Sequence, residues 1–155
     1  MTTKTGVPAA HESRGGVRHG VDVTYGYLMA FFVLGVLAQV FLAGVGVFGI
    51  NARKVANASS FDPHRAWGSV LMILAILLLI LALSAWASRG TVISTFVLAV
   101  LVVAAQSGLA AAGDSDKWIG GLHALDGMVI LLLSIWLATA AWRRRQAEAH
   151  SAHGR

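Results

Sequence analysis

Residues 64–88 read HRAWGSVLMILAILLLILALSAWAS, and this stretch decides the fold. Arg65 is its one charged residue, and from there it runs apolar for six helical turns. About 20 helical residues cross the hydrocarbon core of a bilayer, where backbone groups find no water and must bond within the segment. The stretch is therefore predicted to be a membrane-spanning helix.

Three further apolar stretches resemble it, at residues 23–48, 91–112 and 119–142. The 155 residues are 57% hydrophobic and 12% charged, which is outside the range of soluble domains. We predict an all-α fold, a four-helix transmembrane bundle over residues 23–145. Residues 1–22 and 146–155 are polar and are predicted to be tails, the first of them disordered.

The charged residues indicate how the chain sits in a membrane. Eight Lys and Arg lie on the side of the termini and four on the other, which predicts a multi-pass plasma-membrane protein with both termini cytoplasmic. These basic residues flank the spans, so the partner they indicate is membrane lipid and no nucleic acid. The absence of cysteine excludes disulfides, thiolate metal sites and covalently attached heme.

One pattern occurs twice. Residues 39–46 read QVFLAGVG and are followed by HRAWG at 64–68, while residues 106–113 read QSGLAAAG and are followed by HALDG at 123–127. Both fit Q-x-x-L-A-x-x-G, then H-x-x-x-G, which predicts a bundle built from two repeated helix pairs in parallel orientation. His64 and His123 should then lie at one membrane depth.

Two histidines in equivalent places favour a shared metal. A zinc or copper site usually has three or four protein donors, whereas the iron of a porphyrin needs two axial ligands. We therefore expect His64 and His123 to bind heme b. The other expected cofactor contacts are the cation of Arg65, the amides of Gln39 and Gln106, and four glycines that leave room for a flat ring: Gly44, Gly68, Gly108 and Gly127.

Asp126 is the one carboxylate well inside a predicted span, three residues after His123. An intramembrane carboxylate is a functional candidate by default. It could orient an imidazole, bond a glutamine or relay protons.

These features resemble one four-helix half of the heme A synthases. The shared pattern is a helix with Gln and small residues followed by a His that opens the next helix, with the His64-Arg65 pair and the stretch 105–142 as the closest parts. The resemblance covers roughly residues 30–142 and implies heme ligation by His64 and His123. The chain is also similar to small four-helix membrane proteins of bacteria.

The departures weaken an enzymatic interpretation. Phe61 stands where that family carries a Glu three residues before its first His, and the family's cysteine-bearing loop and second half are absent. Heme-oxidising activity is not expected, because a phenyl ring neither accepts a proton nor bonds a reacting intermediate.

Three classes of function stay open. The first is an integral membrane b-type cytochrome, working in electron transfer with a quinol or another redox partner, as a homodimer or within a larger complex, or in heme handling. The second is a cofactor-free accessory or assembly subunit. The third is a small proton-coupled transporter that uses Asp126.

Overall fold

The computed structural model describes residues 9–53, 58–85, 87–113 and 115–153, with side chains over 16–49, 60–85, 87–113 and 115–151. Within these ranges the chain is helical and has no strand. Its elements are α1 (Ala9–Arg53), a 3₁₀ turn (Ala58–Phe61), α2 (Asp62–Ser84), α3 (Arg89–Val100), a π-helical turn (Leu101–Ala105), α4 (Gln106–Gly113) and α5 (Lys117–His153).

The elements form four helical segments that are long and apolar enough to cross a membrane. One of these segments consists of α3, the π-helical turn and α4, which are continuous. Large apolar side chains cover the outside of the molecule, as in Phe41, Phe48 and Ile73, each about 70% exposed. A surface of this kind suits lipid. The predicted all-α architecture of four membrane-spanning helices is confirmed.

The helices stand at the four corners of a square. Helix α1 contacts α2 and α5, and α3 contacts the same two helices from the opposite corner. In the part of the chain that the structure describes, no Cα atom of α2 lies within 8 Å of one of α5, so the helices that carry His64 and His123 lie on a diagonal. We call the end with residues 16–22, 85–91 and 143–151 the termini end, and the end with residues 39–49, 61–68 and 106–127 the histidine end.

The hydrophobic core occupies only the half of the bundle next to the termini end. Tyr25, Phe32, Leu78, Leu98 and Leu137 are at most 2% exposed, and the hydroxyl of Tyr25 bonds the buried hydroxyl of Thr95 at 2.8 Å. Over the described residues, buried apolar side chains reach no further towards the histidine end than Val36, Leu71, Val102 and Ile130. Beyond these positions the helices separate into two pairs, α1 with α2 and α4 with α5.

The outer helices are longer than the sequence indicates. Helix α1 begins at Ala9, so residues 9–22, assigned to a disordered tail, are helical, and α5 continues through the second predicted tail to His153. The two extensions support each other: Arg144 Nη2 lies 3.8 Å from Asp22 Oδ1, and His19 Nδ1 lies 3.8 Å from Glu148 Oε2. Residues 1–8 and 154–155 of the predicted tails lie outside the described ranges.

Helix α2 begins differently from the usual capped start. Asp62 is its first residue rather than a cap, because the 3₁₀ turn runs directly into the helix and places Phe61 at the N-cap position, where no side chain caps the helix. Asp62 instead lies 3.6 Å from Arg65 one turn on, and Pro63 occupies the first turn. A carboxylate in the first turn stabilises a helix, because it interacts favourably with the positive end of the helix dipole.

Candidate cofactor site between two histidines

Gln39 on α1 and His64 on α2 form a two-way bridge between their helices. The side-chain Nε2 of Gln39 donates to the backbone carbonyl of His64 at 3.0 Å, and Nδ1 of His64 lies 3.2 Å from the backbone carbonyl of Gln39. Because a carbonyl can only accept, Nδ1 carries the proton and Nε2 is left with its lone pair. This is the tautomer that metal-ligating histidines use, with the second ring nitrogen fixed by a carbonyl.

Gln106 on α4 and His123 on α5 repeat this bridge atom for atom. Gln106 Nε2 donates to the carbonyl of His123 at 3.0 Å, and His123 Nδ1 lies 3.2 Å from the carbonyl of Gln106. Each glutamine, expected as a cofactor contact, orients the histidine of its own helix pair.

The glycine four residues after each histidine lies against the glutamine amide of the bridge. A Cβ on Gly68 would lie 3.0 Å from Gln39 Nε2, and one on Gly127 would lie 3.5 Å from Gln106 Nε2. The amide thus crosses the bare backbone of the next turn to reach the histidine carbonyl. This explains the H-x-x-x-G part of the pattern by packing against glutamine.

The glycine seven residues after each glutamine brings the helix pair together. A Cβ on Gly46 would lie 2.6 Å from the ring of Phe61, and one on Gly113 would lie 2.9 Å from the Cα of Gly120. Phe61 and Gly120 each precede their histidine by three residues. In one pair an aromatic ring fills the contact and in the other the two backbones touch.

The two histidines face one another across the diagonal. Their ring centres are 6.3 Å apart, and the ring planes are inclined by 68°. Two metal–imidazole bonds of about 2 Å, with each ring nitrogen roughly 1.1 Å from its ring centre, add up to about 6 Å between ring centres. The observed separation suits one metal ion held between the rings.

A cavity of about 810 Å³ opens at the histidine end between the two helix pairs. All four spans line it, and both histidines, both glutamines and Arg65 are on its wall. Small residues make up much of the rest: Ala43, Gly68, Ala110, Ala111, Gly113, Gly120, Ala124 and Gly127. The volume lies in the range of small-molecule and cofactor sites.

Some predicted contacts lie elsewhere. Gly44 and Gly108 are not on the cavity wall, and a Cβ on either would meet nothing within 4 Å. Arg65 is on the wall, with its side chain 61% exposed and near Asp62. The sequence interpretation missed Phe61 and Met72 as wall residues, since an apolar side chain in an apolar helix gives no signal.

Asp126 and Trp67 occupy the same place in the two halves and do different things. Trp67 Nε1 donates to the carbonyl of Gly35 at 2.8 Å, which ties α2 to α1. Asp126 lies beside the side chain of Gln106, and its buried Oδ2 has no hydrogen-bond partner. Gln39 Oε1 is likewise buried without a partner.

The donor set limits the kind of metal. Across the described ranges, no three or more side chains of His, Asp, Glu or Cys come together as a group that could hold a metal ion. A bare zinc or copper ion would have only the two imidazoles. A metal that brings its own equatorial ligands needs no more than these two.

Comparison with known proteins gives one match. Residues 39–112 match the model of a family of unknown function, DUF6220. The matched segment begins at Gln39, includes His64 and Gln106, and ends before His123. No curated protein and no solved structure matches the chain significantly.

Proposed function

We propose that this protein is an integral membrane b-type cytochrome that holds one heme b between α2 and α5, with His64 and His123 as its axial ligands. The observation that carries the proposal is the facing pair of imidazoles, 6.3 Å apart by ring centres, each with Nδ1 engaged by a carbonyl. The resemblance to one half of the heme A synthases supports the same two residues.

The size of the cavity supports an occupant. The cavity of about 810 Å³ is in the size range of cofactor sites, and because it is open to its surroundings it is filled by whatever the membrane supplies. Lipid chains or a cofactor are the available materials in a membrane.

The polar atoms in the cavity favour a cofactor over lipid chains. Hydrocarbon would leave the free ring nitrogen of His123 without a partner, and an unsatisfied buried group costs about 1–3 kcal/mol. A porphyrin offers an apolar face to the alanines and glycines and an iron to the imidazoles. Its anionic propionates would find the Arg65 cation at the open edge.

Heme supplies one-electron redox chemistry when bound, and the chain supplies its ligands and a water-poor pocket. The distribution of Lys and Arg supports an orientation with the histidine end at the outer face and the termini in the cytoplasm. Because a single heme near one face does not span the membrane, we propose that electrons pass to or from a quinol, a redox partner or a second copy of the chain.

A cofactor-free accessory subunit is the second candidate, and one contact favours it. Gln39 Nε2 lies 3.3 Å from His64 Nε2, so the amide can satisfy the ring nitrogen that would bind iron. Heme binding would have to displace this contact. The corresponding nitrogen of His123 makes no hydrogen bond within the described chain.

The reduced-minus-oxidised absorption spectrum of the purified protein tests the proposal. We expect a low-spin heme b spectrum, which His64→Ala or His123→Ala should abolish or strongly weaken, because each removes one of two iron bonds. His150→Ala is the matched control, since that side chain is exposed on the extension of α5. A double variant that retained the low-spin spectrum would show that the ligands are others, and a colourless wild type reconstituted with hemin would favour the cofactor-free subunit.

A further inference from the structure

A second cavity of about 370 Å³ lies at the termini end, in a part of the molecule that the proposed heme site does not use. It sits between the start of α1, the α2–α3 turn and the extension of α5. Six of its eight wall residues are polar or charged: Arg18, His19, Asp22, Ser88, Arg144 and Glu148. These residues lie just beyond the apolar stretches, at the depth of lipid head groups.

The cavity offers hydrogen-bond donors for a phosphate. Arg144 donates from Nη1 to the buried Thr91 Oγ1 at 3.1 Å, and its Nη2 stands 3.8 Å from Asp22, beyond hydrogen-bond length. A guanidinium has five N–H groups, so most of those of Arg144 are available to a ligand. Arg18 adds a second guanidinium that makes no ion pair or hydrogen bond with any described residue.

The cavity also offers acceptors, which a purely anionic ligand would not use. The carboxylates of Asp22 and Glu148 share the wall with the two arginines, so the fixed charges cancel when His19 is neutral. A ligand with one phosphate and one ammonium would match both signs. A ligand with the phosphate alone would meet repulsion from the two carboxylates.

We propose that this cavity binds the head group of a zwitterionic phospholipid that carries a primary ammonium, the phosphate against Arg18 and Arg144 and the ammonium against Asp22 and Glu148. Basic pockets between transmembrane helices bind the phosphates of anionic lipids, and the two carboxylates here would add selectivity for a head group that also carries a cation. A bound lipid would join α1, the α2–α3 turn and α5 where the core ends.

Native mass spectrometry of the delipidated full chain, with added phosphatidylethanolamine, phosphatidylglycerol or inorganic phosphate, tests the proposal. We expect one phosphatidylethanolamine to be retained in preference to phosphatidylglycerol. Arg18→Gln and Arg144→Gln should each weaken retention about tenfold, as for the loss of a charge-assisted hydrogen bond. Glu148→Gln should remove the preference between the two lipids.

Arg143→Gln is the matched control, because Arg143 is exposed, adjacent to Arg144 and not on the cavity wall. Its retention should equal that of wild type. Equal binding of both lipids to wild type, displacement of the lipid by inorganic phosphate, or an equal loss in Arg143→Gln would each overturn the proposal. If Arg144→Gln loses its helical circular dichroism, Arg18→Gln on the surface of α1 decides the matter.

Discussion

Replacing Gly113 by Ala should weaken the contact between α4 and α5, the helix that carries His123. The added Cβ would stand 2.9 Å from Cα and 3.1 Å from N of Gly120, both backbone atoms that have no rotamer to change. Ordinary contact begins at 3.4 Å, so α4 and α5 must separate by about 0.5 Å. Overpacking of this kind costs about 1–3 kcal/mol.

Gly113 is the last residue of α4, where the better helix propensity of alanine counts least, so we expect a net loss of about 1–3 kcal/mol. Unfolding in detergent micelles by titration with sodium dodecyl sulfate, followed by far-ultraviolet circular dichroism, measures it. Gly108→Ala on the same helix is the control: nothing lies within 4 Å of its Cβ, so its stability should be unchanged or slightly higher. Equal stability of the two variants would refute the close backbone contact between α4 and α5.

Two further predictions concern the termini end and the orientation. Tyr25→Phe should lower the free energy of unfolding by about 1 kcal/mol, because it removes one hydrogen bond and leaves Thr95 bonded to the Thr91 carbonyl. Thr95→Val should lower it by about 1–3 kcal/mol, because the buried Tyr25 hydroxyl then has no partner. The same titration measures both, and a larger loss for Tyr25→Phe would contradict the hydrogen bond between Tyr25 and Thr95. In the cysteine-free chain, Ser115→Cys should react with an impermeant thiol reagent added outside whole cells and Ser151→Cys only after lysis, and the reverse pattern would invert the proposed orientation.

The spans, and the grouping of two glutamines and two histidines at one site, were predictable because lipid makes polar residues informative. A polar side chain inside an apolar helix must find a partner within the protein, so four such residues at matched spacings indicate a common site. The structure brings Gln39 to His64 and Gln106 to His123, and it places the two histidines opposite each other. Whether they bind heme stays a prediction.

Other features were not predictable, because the residue types at these positions are compatible with more than one structure. The π-helical turn consists of Leu101–Ala105, apolar residues that fit an α-helix as well. The extensions of α1 and α5 are polar and look like tails in isolation; their stability depends on contacts across the bundle, such as Arg144 with Asp22. Gly44 and Gly108 were chosen for their small size, but the sequence does not indicate which side of a helix the cavity takes.

The contacts that hold the two histidines differ, because Trp67 in the first helix pair corresponds to Asp126 in the second. In the first pair, the indole N–H of Trp67 donates to the carbonyl of Gly35, four residues before Gln39. This bond holds α2 against α1 about one helical turn from His64, on the side of the termini end. In the second pair Asp126 stands in the place of Trp67, and its side chain makes no hydrogen bond to a backbone carbonyl of the neighbouring helix within the described residues.

The helix changes where that support is missing. The residue four before Gln106 is Val102, inside the π-helical turn, and the N–H of Gln106 itself bonds the carbonyl of Leu101, five residues back. A π-helical turn accommodates one extra residue in an α-helix, and such turns are frequent at functional sites. Asp126, in the place of Trp67, lies beside the side chain of Gln106. His64 is thus supported by a packed indole, and His123 by Gln106, which directly follows the π-helical turn of its own helix.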